Sequence, residues 1–262
     1  MLENYTAYAF ADNADQGNPA GVVCLNEWLS KETMQKIATE NNLPETAFIL
    51  SREDKHHEWD IRWFTPIMEV PLCGHATLAS AAVLHQIYNL SPSSFKFYAK
   101  RDFLEVKLAR SKYLLDLPSD MPVKSKLSNE IIEALGLTHG SVFKGRDYYL
   151  LKLSNEIQIK NAQPDFNRLK KLTSNGIIIS SKGDDVDFVS RFFAPAMGID
   201  EDFVTGSAHC VLVPFWSQQL NKNNMLARQI SSRGGNLECF LKKDRIELSG
   251  NVFIEMEKYT HF

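Results

Sequence analysis

The sequence is poor in the features that mark membrane, secreted and nucleic-acid-binding proteins. None of its apolar runs approaches the roughly 20 residues that a membrane helix needs. The first five residues, Met1 to Tyr5, have neither the basic nor the apolar segment of a secretory signal. The net charge of −3 gives no general attraction to nucleic acid or to an anionic membrane. We therefore expect a cytoplasmic chain without a nucleic-acid or membrane partner.

Cysteine is also scarce, and its four copies lie far apart. Cys24, Cys73, Cys210 and Cys239 show no CxxC spacing, which is the spacing that often indicates zinc ligands or a redox-active disulfide. The pattern favours reduced thiols over a disulfide framework or a zinc site. The sequence accordingly predicts no bound metal.

Short strand-like segments and two apolar helical segments make up most of the chain. The helical segments span about residues 75–87 and 207–219. The first is apolar almost all round, which is typical of a helix enclosed by other structure. Pro214 is expected to limit or kink the second. Strands that dominate, with one very apolar helix in each half, indicate an α+β fold.

A proline-rich segment separates the two halves. Residues 118–122 contain two prolines and polar residues, a composition typical of a domain boundary. We predict an N-terminal half-domain over residues 1–118 and a C-terminal half-domain over residues 123–250. A strand at about residues 251–259 is expected to pack back on the N-terminal half, and the polar residues 51–58 are expected to form a hairpin tip.

One motif occurs once in each half. The segments 62–66 and 191–195 share the form Arg-aromatic-Phe-small-Pro, and Gly74 and Gly206 then begin the two apolar helices. The free N–H groups at the start of a helix attract anions. We therefore expect two related halves, packed about a pseudo-twofold axis, to present both helix starts to one anionic substrate.

The most specific segments are Cys73-Gly74-His75-Ala76-Thr77 and Thr205-Gly206-Ser207-Ala208-His209. Together with further matching segments along nearly the whole chain, these two segments resemble the phenazine-biosynthesis PhzF-like isomerases, which have the diaminopimelate epimerase-like fold. The resemblance implies that each half is a curved, mostly antiparallel β-sheet or barrel wrapped around its central helix. It also implies an active site in the cleft between the halves, a frequent homodimer and no cofactor.

The resemblance further implies roles for single residues. It places Glu45 at the family's proton-shuttling carboxylate, which removes a proton from one carbon and returns it to another. It implies that His75 and Asp202 assist. At a helix start, His75 is expected to hold a proton weakly and to act as a neutral imidazole. A substrate carboxylate would be bound by three residues whose alternative role is ordinary helix capping: Gly74, Gly206 and Ser207.

Two positions bear on rival activities and on the substrate. Epimerases of this fold, as the resemblance implies, use one cysteine from each half as opposed acid and base. Cys73 stands at the first position, but Thr205 stands at the second, and a hydroxyl cannot replace a thiolate without a separate base. Phe203 stands where the family often has proline, and its bulk beside Asp202 weakens inference about the substrate.

Three functions follow in order of preference. The first is a cofactor-independent isomerase that shifts a proton, and so a double bond, in a small carboxylate-bearing metabolite, with Glu45 as the shuttle. The second is an amino-acid racemase or epimerase of the same fold, which Thr205 disfavours. The third is a ligand-binding homologue without catalytic activity. The sequence does not specify the substrate.

Overall fold

The computed structural model describes residues 2–52, 57–100, 103–109 and 111–260. It divides the chain into a first unit, residues 1–116 with 249–262, and a second unit, residues 117–248. Part of the predicted hairpin tip at 51–58 lies outside the described residues. The predicted α+β class is confirmed, because strands dominate both units and each contains one long apolar helix. Among the described helices, none is long and apolar enough to cross a membrane.

The elements of the first unit surround one apolar helix. In chain order they are β1 (Leu2–Ala9), β2 (Asn18–Leu25), α1 (Lys31–Asn41), β3 (Glu45–Ser51), β4 (Glu58–Phe64), β5 (Glu69–Val70), α2 (Gly74–Gln86), β6 (Ser94–Tyr98), β7 (Phe103–Ala109) and β8 (Lys112–Pro118), the last of which runs past the unit boundary. Residues 75–84 of α2 are all buried, and α2 packs against β1, β2, β3 and β7. The helix therefore forms the centre of this unit, as its all-round apolarity predicts.

The second unit contains more helical segments. In chain order its elements are β9 (Val123–Lys124), α3 (Asn129–Ala134), β10 (Ser141–Lys144), β11 (Tyr148–Lys152), α4 (Glu156–Asn161), α5 (Phe166–Leu172), β12 (Gly176–Lys182), β13 (Phe188–Ala194), a 3₁₀ turn (Pro195–Met197), β14 (Ile199–Asp202), α6 (Gly206–Leu220), β15 (Asn224–Gln229), β16 (Gly235–Lys242) and β17 (Arg245–Gly250). The central helix α6 packs against β11, β15 and β16. The final strand, β18 (Val252–Thr260), pairs with β1 in the first unit.

Strand pairing follows the same order in both units. In the first unit β1 pairs with β2, β2 with β3, β3 with β4, β4 with both β5 and β6, and β6 with β7. In the second unit β10 pairs with β11, β11 with β12, β12 with β13, β13 with both β14 and β15, and β15 with β16. Among these described pairs, only β2/β3, β4/β6 and their counterparts β11/β12 and β13/β15 are parallel. The internal repeat inferred from the Arg-aromatic-Phe motif is therefore confirmed.

The repeat extends to one ion pair in each unit. Arg62 on β4 donates from Nε and Nη2 to the two carboxylate oxygens of Glu69, at 2.7 and 2.9 Å. Arg191 on β13 makes the same two bonds to Glu201, also at 2.7 and 2.9 Å. Each pair joins the strand of the motif to the short strand that leads into the central helix. The arginine that occurs in both copies of the motif thus forms a bidentate bridge in each unit.

The helix α6 runs through Pro214 to Leu220, so the expectation that Pro214 limits this helix is wrong. Proline has no N–H, which leaves the carbonyl of Cys210 without its helical donor. The backbone N–H of Asp120 donates to that carbonyl at 2.9 Å instead. A residue outside the helix thereby satisfies the group that the proline leaves unpaired.

Candidate active site

Glu45 and His75 meet inside the first unit. Glu45 is the first residue of β3, and His75 lies in the first turn of α2. The distance from Glu45 Oε2 to His75 Nε2 is 3.2 Å. Both side chains are buried, with 8% and 5% of each residue exposed. A carboxylate and an imidazole in contact at this depth form a candidate acid–base pair.

Two further side chains surround the ring of His75. Asn18 Nδ2, at the start of β2, lies 3.2 Å from His75 Nδ1. Cys73 Sγ lies 3.5 Å from Nδ1 and 4.0 Å from Nε2. Sequence reasoning assigned Asn18 no role and missed the first contact, because Asn18 and His75 lie 57 positions apart in the sequence.

The protonation of His75 differs from the sequence-based expectation. Burial alone would lower the pKa of His75, but the adjacent Cys73 and Glu45, through charge and hydrogen bonding, raise this pKa well above its ordinary value. Burial, and after it the Glu45 charge, also raise the pKa of the Cys73 thiol. The expectation of a neutral imidazole is wrong because it counted only the helix start, whose effect of about 0.3–1 kcal/mol is smaller than that of a carboxylate in contact.

Asp202 lies in the second unit, within a buried hydrogen-bond network. The Thr205 hydroxyl donates to Asp202 Oδ2 at 2.6 Å. Gln229 Nε2 donates to the Asp202 carbonyl at 2.7 Å and to Thr205 Oγ1 at 3.1 Å. The Thr205 N–H in turn donates to Gln229 Oε1 at 2.9 Å. Thr205 thus orients the Asp202 carboxylate, and Gln229, to which the sequence assigned no role, holds both residues in place.

The repeat gives each residue of the pair an equivalent in the second unit. The strand registers make Thr46 equivalent to Ile177 and Phe64 equivalent to Phe193. By the same registers, Gly176 stands in the place of Glu45. Counting on from the paired residues Glu69 and Glu201, Thr205 stands in the place of Cys73 and Ser207 in the place of His75. Among the described residues, the acid–base pair therefore has no counterpart in the second unit.

The starts of the two central helices differ from those of the shorter helices. Side chains cap α1, α3, α4 and α5, and these caps are Ser30, Ser128, Asn155 and Asp165. Within the described part of the chain, no side chain caps α2 at Gly74 or α6 at Gly206. Side-chain capping, the alternative role considered for the residues at the starts of α2 and α6, is therefore not observed within the described residues. Uncapped helix starts retain N–H groups that can bind an anion.

Protonation of His209, which lies in the first turn of α6, is expected to lower the stability of the fold in acid. Burial lowers the pKa of His209 to about 4, although its Nδ1–H donates to the Thr205 carbonyl at 2.8 Å. Because the unfolded histidine titrates near 6.5, the unfolded chain binds more protons between these two values. The contribution of His209 to the free energy of unfolding is therefore fully present above about pH 6.5. This contribution falls by up to about 3 kcal/mol as the pH drops to about 4.

The variant His209→Asn isolates this effect, because asparagine retains a donor near Nδ1 but does not titrate. Urea unfolding of both proteins from pH 7 to pH 4 should show a steeper decline for the wild type. Equal declines would contradict the assignment.

The shared pairing order of the two units defines an epimerase-like fold. A solved protein of Pseudomonas aeruginosa described as a predicted epimerase matches with a TM-score of 0.77 and 18% identity, over 99% of both chains. The predicted diaminopimelate epimerase-like class is thereby confirmed at the level of the fold.

The chain belongs to the family of phenazine biosynthesis-like proteins, whose model matches residues 7–258. It is 44% identical to an uncharacterized isomerase of Pseudomonas aeruginosa, over 97% of this chain and 96% of that protein. It is 39% identical to a solved PhzF-family protein of Enterococcus faecalis, with a TM-score of 0.93 over 99% of this chain and 100% of that one. The family resemblance seen in the sequence is confirmed, and the family is one of isomerases.

Proposed function

We propose that the chain is a cofactor-independent isomerase that shifts a proton, and with it a double bond, in a small carboxylate-bearing metabolite. The observation that carries this proposal is the buried contact of 3.2 Å between Glu45 and His75. Membership of an isomerase family supports the reaction class. We further propose that the enzyme acts as a cytoplasmic homodimer.

In the proposed reaction one carboxylate does two jobs. Glu45 takes a proton from a carbon beside an unsaturated or carbonyl group, and the electrons of the broken C–H bond move into that group. The resulting carboxylic acid then gives the proton to a second carbon, which restores the carboxylate. The His75 imidazolium, held by Glu45, stabilises the negative charge that develops between these two steps.

Substrate binding is assigned to both units. We propose that the N–H groups at Gly74 bind a carboxylate of the substrate, because the start of α2 has no side-chain cap within the described residues. Asp202, Gly206 and Ser207 belong to the second unit, and we propose a substrate-binding role for them as well. The bulk of Phe203 beside Asp202 is proposed to restrict which substrates enter.

The alternative activity is two-thiol racemisation or epimerisation. It is supported by Cys73, which lies against His75 at 3.5 Å. It is opposed by Thr205, whose hydroxyl donates its hydrogen bond to Asp202. It is also opposed by the pKa of Cys73, which burial and the Glu45 charge both raise. A buried thiol without a partner thiol is a poor acid–base catalyst.

The variant Cys73→Ser separates the two activities. For the proposed isomerase, turnover is expected to stay within about tenfold of the wild type, because serine fills nearly the same space and the proton is moved by Glu45. A two-thiol enzyme would lose almost all turnover. Steady-state kinetics beside a Cys24→Ser control checks this. A loss for Cys73→Ser alone of a thousandfold or more would favour the racemase.

A metabolite screen tests the proposed function as a whole. Small unsaturated and carbonyl-bearing carboxylates would be incubated with the purified protein in D₂O and followed by proton NMR. We expect an isomerised product, or deuterium at the carbon beside the activating group, for at least one class. If no compound in a broad set changes, while some bind, the ligand-binding homologue is favoured.

A further inference from the structure

We propose that Glu45, Cys73 and His75 form an inhibitory binding site for zinc or another thiophilic divalent transition ion. The three residues offer one carboxylate oxygen, one sulfur and one imidazole nitrogen, and these atoms all lie within 4.8 Å of one another. Oxygen, sulfur and nitrogen of these types are the ligands that zinc takes in proteins. The inference rests on the proposed function, since the ion would occupy both groups assigned to proton transfer.

The spacing of the ligand atoms suits a single ion. Two ligands that each lie about 2.0–2.1 Å from zinc in a tetrahedral arrangement are about 3.3 Å apart. The distance between His75 Nε2 and Glu45 Oε2 is 3.2 Å. Cys73 Sγ lies 4.0 Å from Nε2, where a zinc-bound sulfur would lie about 3.6 Å away. The remaining pair, Cys73 Sγ and the Glu45 carboxylate oxygen, lies within 4.8 Å. A movement of the Cys73 side chain by up to about an ångström would therefore bring all three ligands to the ion.

Charge balance also favours the ion. A divalent ion with the Cys73 thiolate and the Glu45 carboxylate is neutral overall, which is what a buried site requires. A thiol has to lose its proton to bind the ion, so metal ions and protons compete for Cys73, and binding should strengthen as the pH rises.

The second ring nitrogen of His75 has its own partner. The Asn18 side-chain amide lies 3.2 Å from Nδ1, which leaves Nε2 for the ion. When Nε2 binds a metal, Nδ1 carries a proton, and the Asn18 amide would turn its oxygen to accept it. Each of the three ligand residues retains 5–8% exposure. Three protein ligands would leave the fourth tetrahedral position of the ion to water or to an anion.

Cobalt(II) titration of the wild-type protein tests the site without any substrate. Thiolate ligation of cobalt gives a near-ultraviolet charge-transfer band, so we expect this band with one ion per chain. Cys24→Ser is the matched control and should retain the band, whereas Cys73→Ser should lose it. Glu45→Gln, which is nearly isosteric, should retain the band but bind zinc at least about tenfold more weakly in a chelator competition. A wild type without the band, or Cys73→Ser with it, would overturn the proposal.

The pH dependence and the kinetics complete the test. Zinc affinity of the wild type should fall by at least about tenfold from pH 8 to pH 6, and a pH-independent affinity would contradict the ligand set. Zinc should inhibit the wild type and Cys24→Ser alike. If the ion binds as described but no substrate is ever turned over, the proposed function fails and the metal site stands. If turnover is found and neither cobalt nor zinc binds, the metal site is overturned alone.

Discussion

Glu45→Gln is expected to lower turnover by at least about a hundredfold, with substrate affinity changed only a few-fold. Glutamine has the shape of glutamate and can still contact His75 Nε2, which lies 3.2 Å from the wild-type carboxylate. It cannot accept a proton from carbon. The loss should therefore appear in the rate of proton transfer and not in binding, as measured by single-turnover kinetics.

A matched control keeps this prediction specific. Glu40→Gln makes the same chemical change at an exposed position near the end of α1, and it should leave turnover within about twofold of the wild type. Glu45→Asp retains the charge but withdraws it by one methylene, so an intermediate loss is expected. Retention of the wild-type rate by Glu45→Gln would remove Glu45 from the mechanism.

Arg191→Lys is expected to destabilise the second unit by about 3 kcal/mol. Besides its two bonds to Glu201, the Arg191 guanidinium donates from Nη1 to the carbonyls of Ile159 and Ala162, at 3.2 and 2.8 Å. Only 13% of the arginine side chain and 18% of the glutamate side chain are exposed. Lysine is a single-point donor that cannot make this set of bonds. It would leave a partly buried carboxylate and two carbonyls short of donors.

The repeat supplies the control for this prediction. Arg62→Lys makes the same change in the first unit, where the side chains of Arg62 and Glu69 are 30% and 29% exposed. Solvent screening there limits the expected cost to about 1 kcal/mol. Urea unfolding, followed by hydrogen-exchange mass spectrometry of peptides from each unit, would compare the two variants. Equal costs would show that burial does not decide the strength of these bridges.

The features of the fold that repeat in the sequence could be predicted from it. The Arg-aromatic-Phe motif and the glycine before each apolar helix recur in both halves, and the structure confirms the repeat as a shared order of strand pairing. The helix α4 (Glu156–Asn161) was not predicted, because it has only six residues and just two of them, Glu156 and Ile159, are buried. So short a segment carries little hydrophobic periodicity.

The site was predictable in its residue types but not in its contacts. The resemblance pointed to Glu45 and His75, and the structure places them together. Sequence reasoning assigned no site role to Asn18 or Gln229, because their roles depend on hydrogen bonds between segments that are distant in sequence. The protonation of His75 was misjudged for the same reason, since the effect of a carboxylate depends on its distance, and only the fold sets that distance.

The most direct test of the central claim, that Glu45 alone moves the proton, is the fate of deuterium placed on the carbon that loses its hydrogen. A single carboxylate that removes and returns the same hydrogen should deliver a measurable fraction of the label to the accepting carbon of the product in ordinary water. This transfer should persist in Cys73→Ser and disappear in Glu45→Gln. A product that contains only solvent hydrogen, together with loss of turnover in Cys73→Ser, would contradict the account.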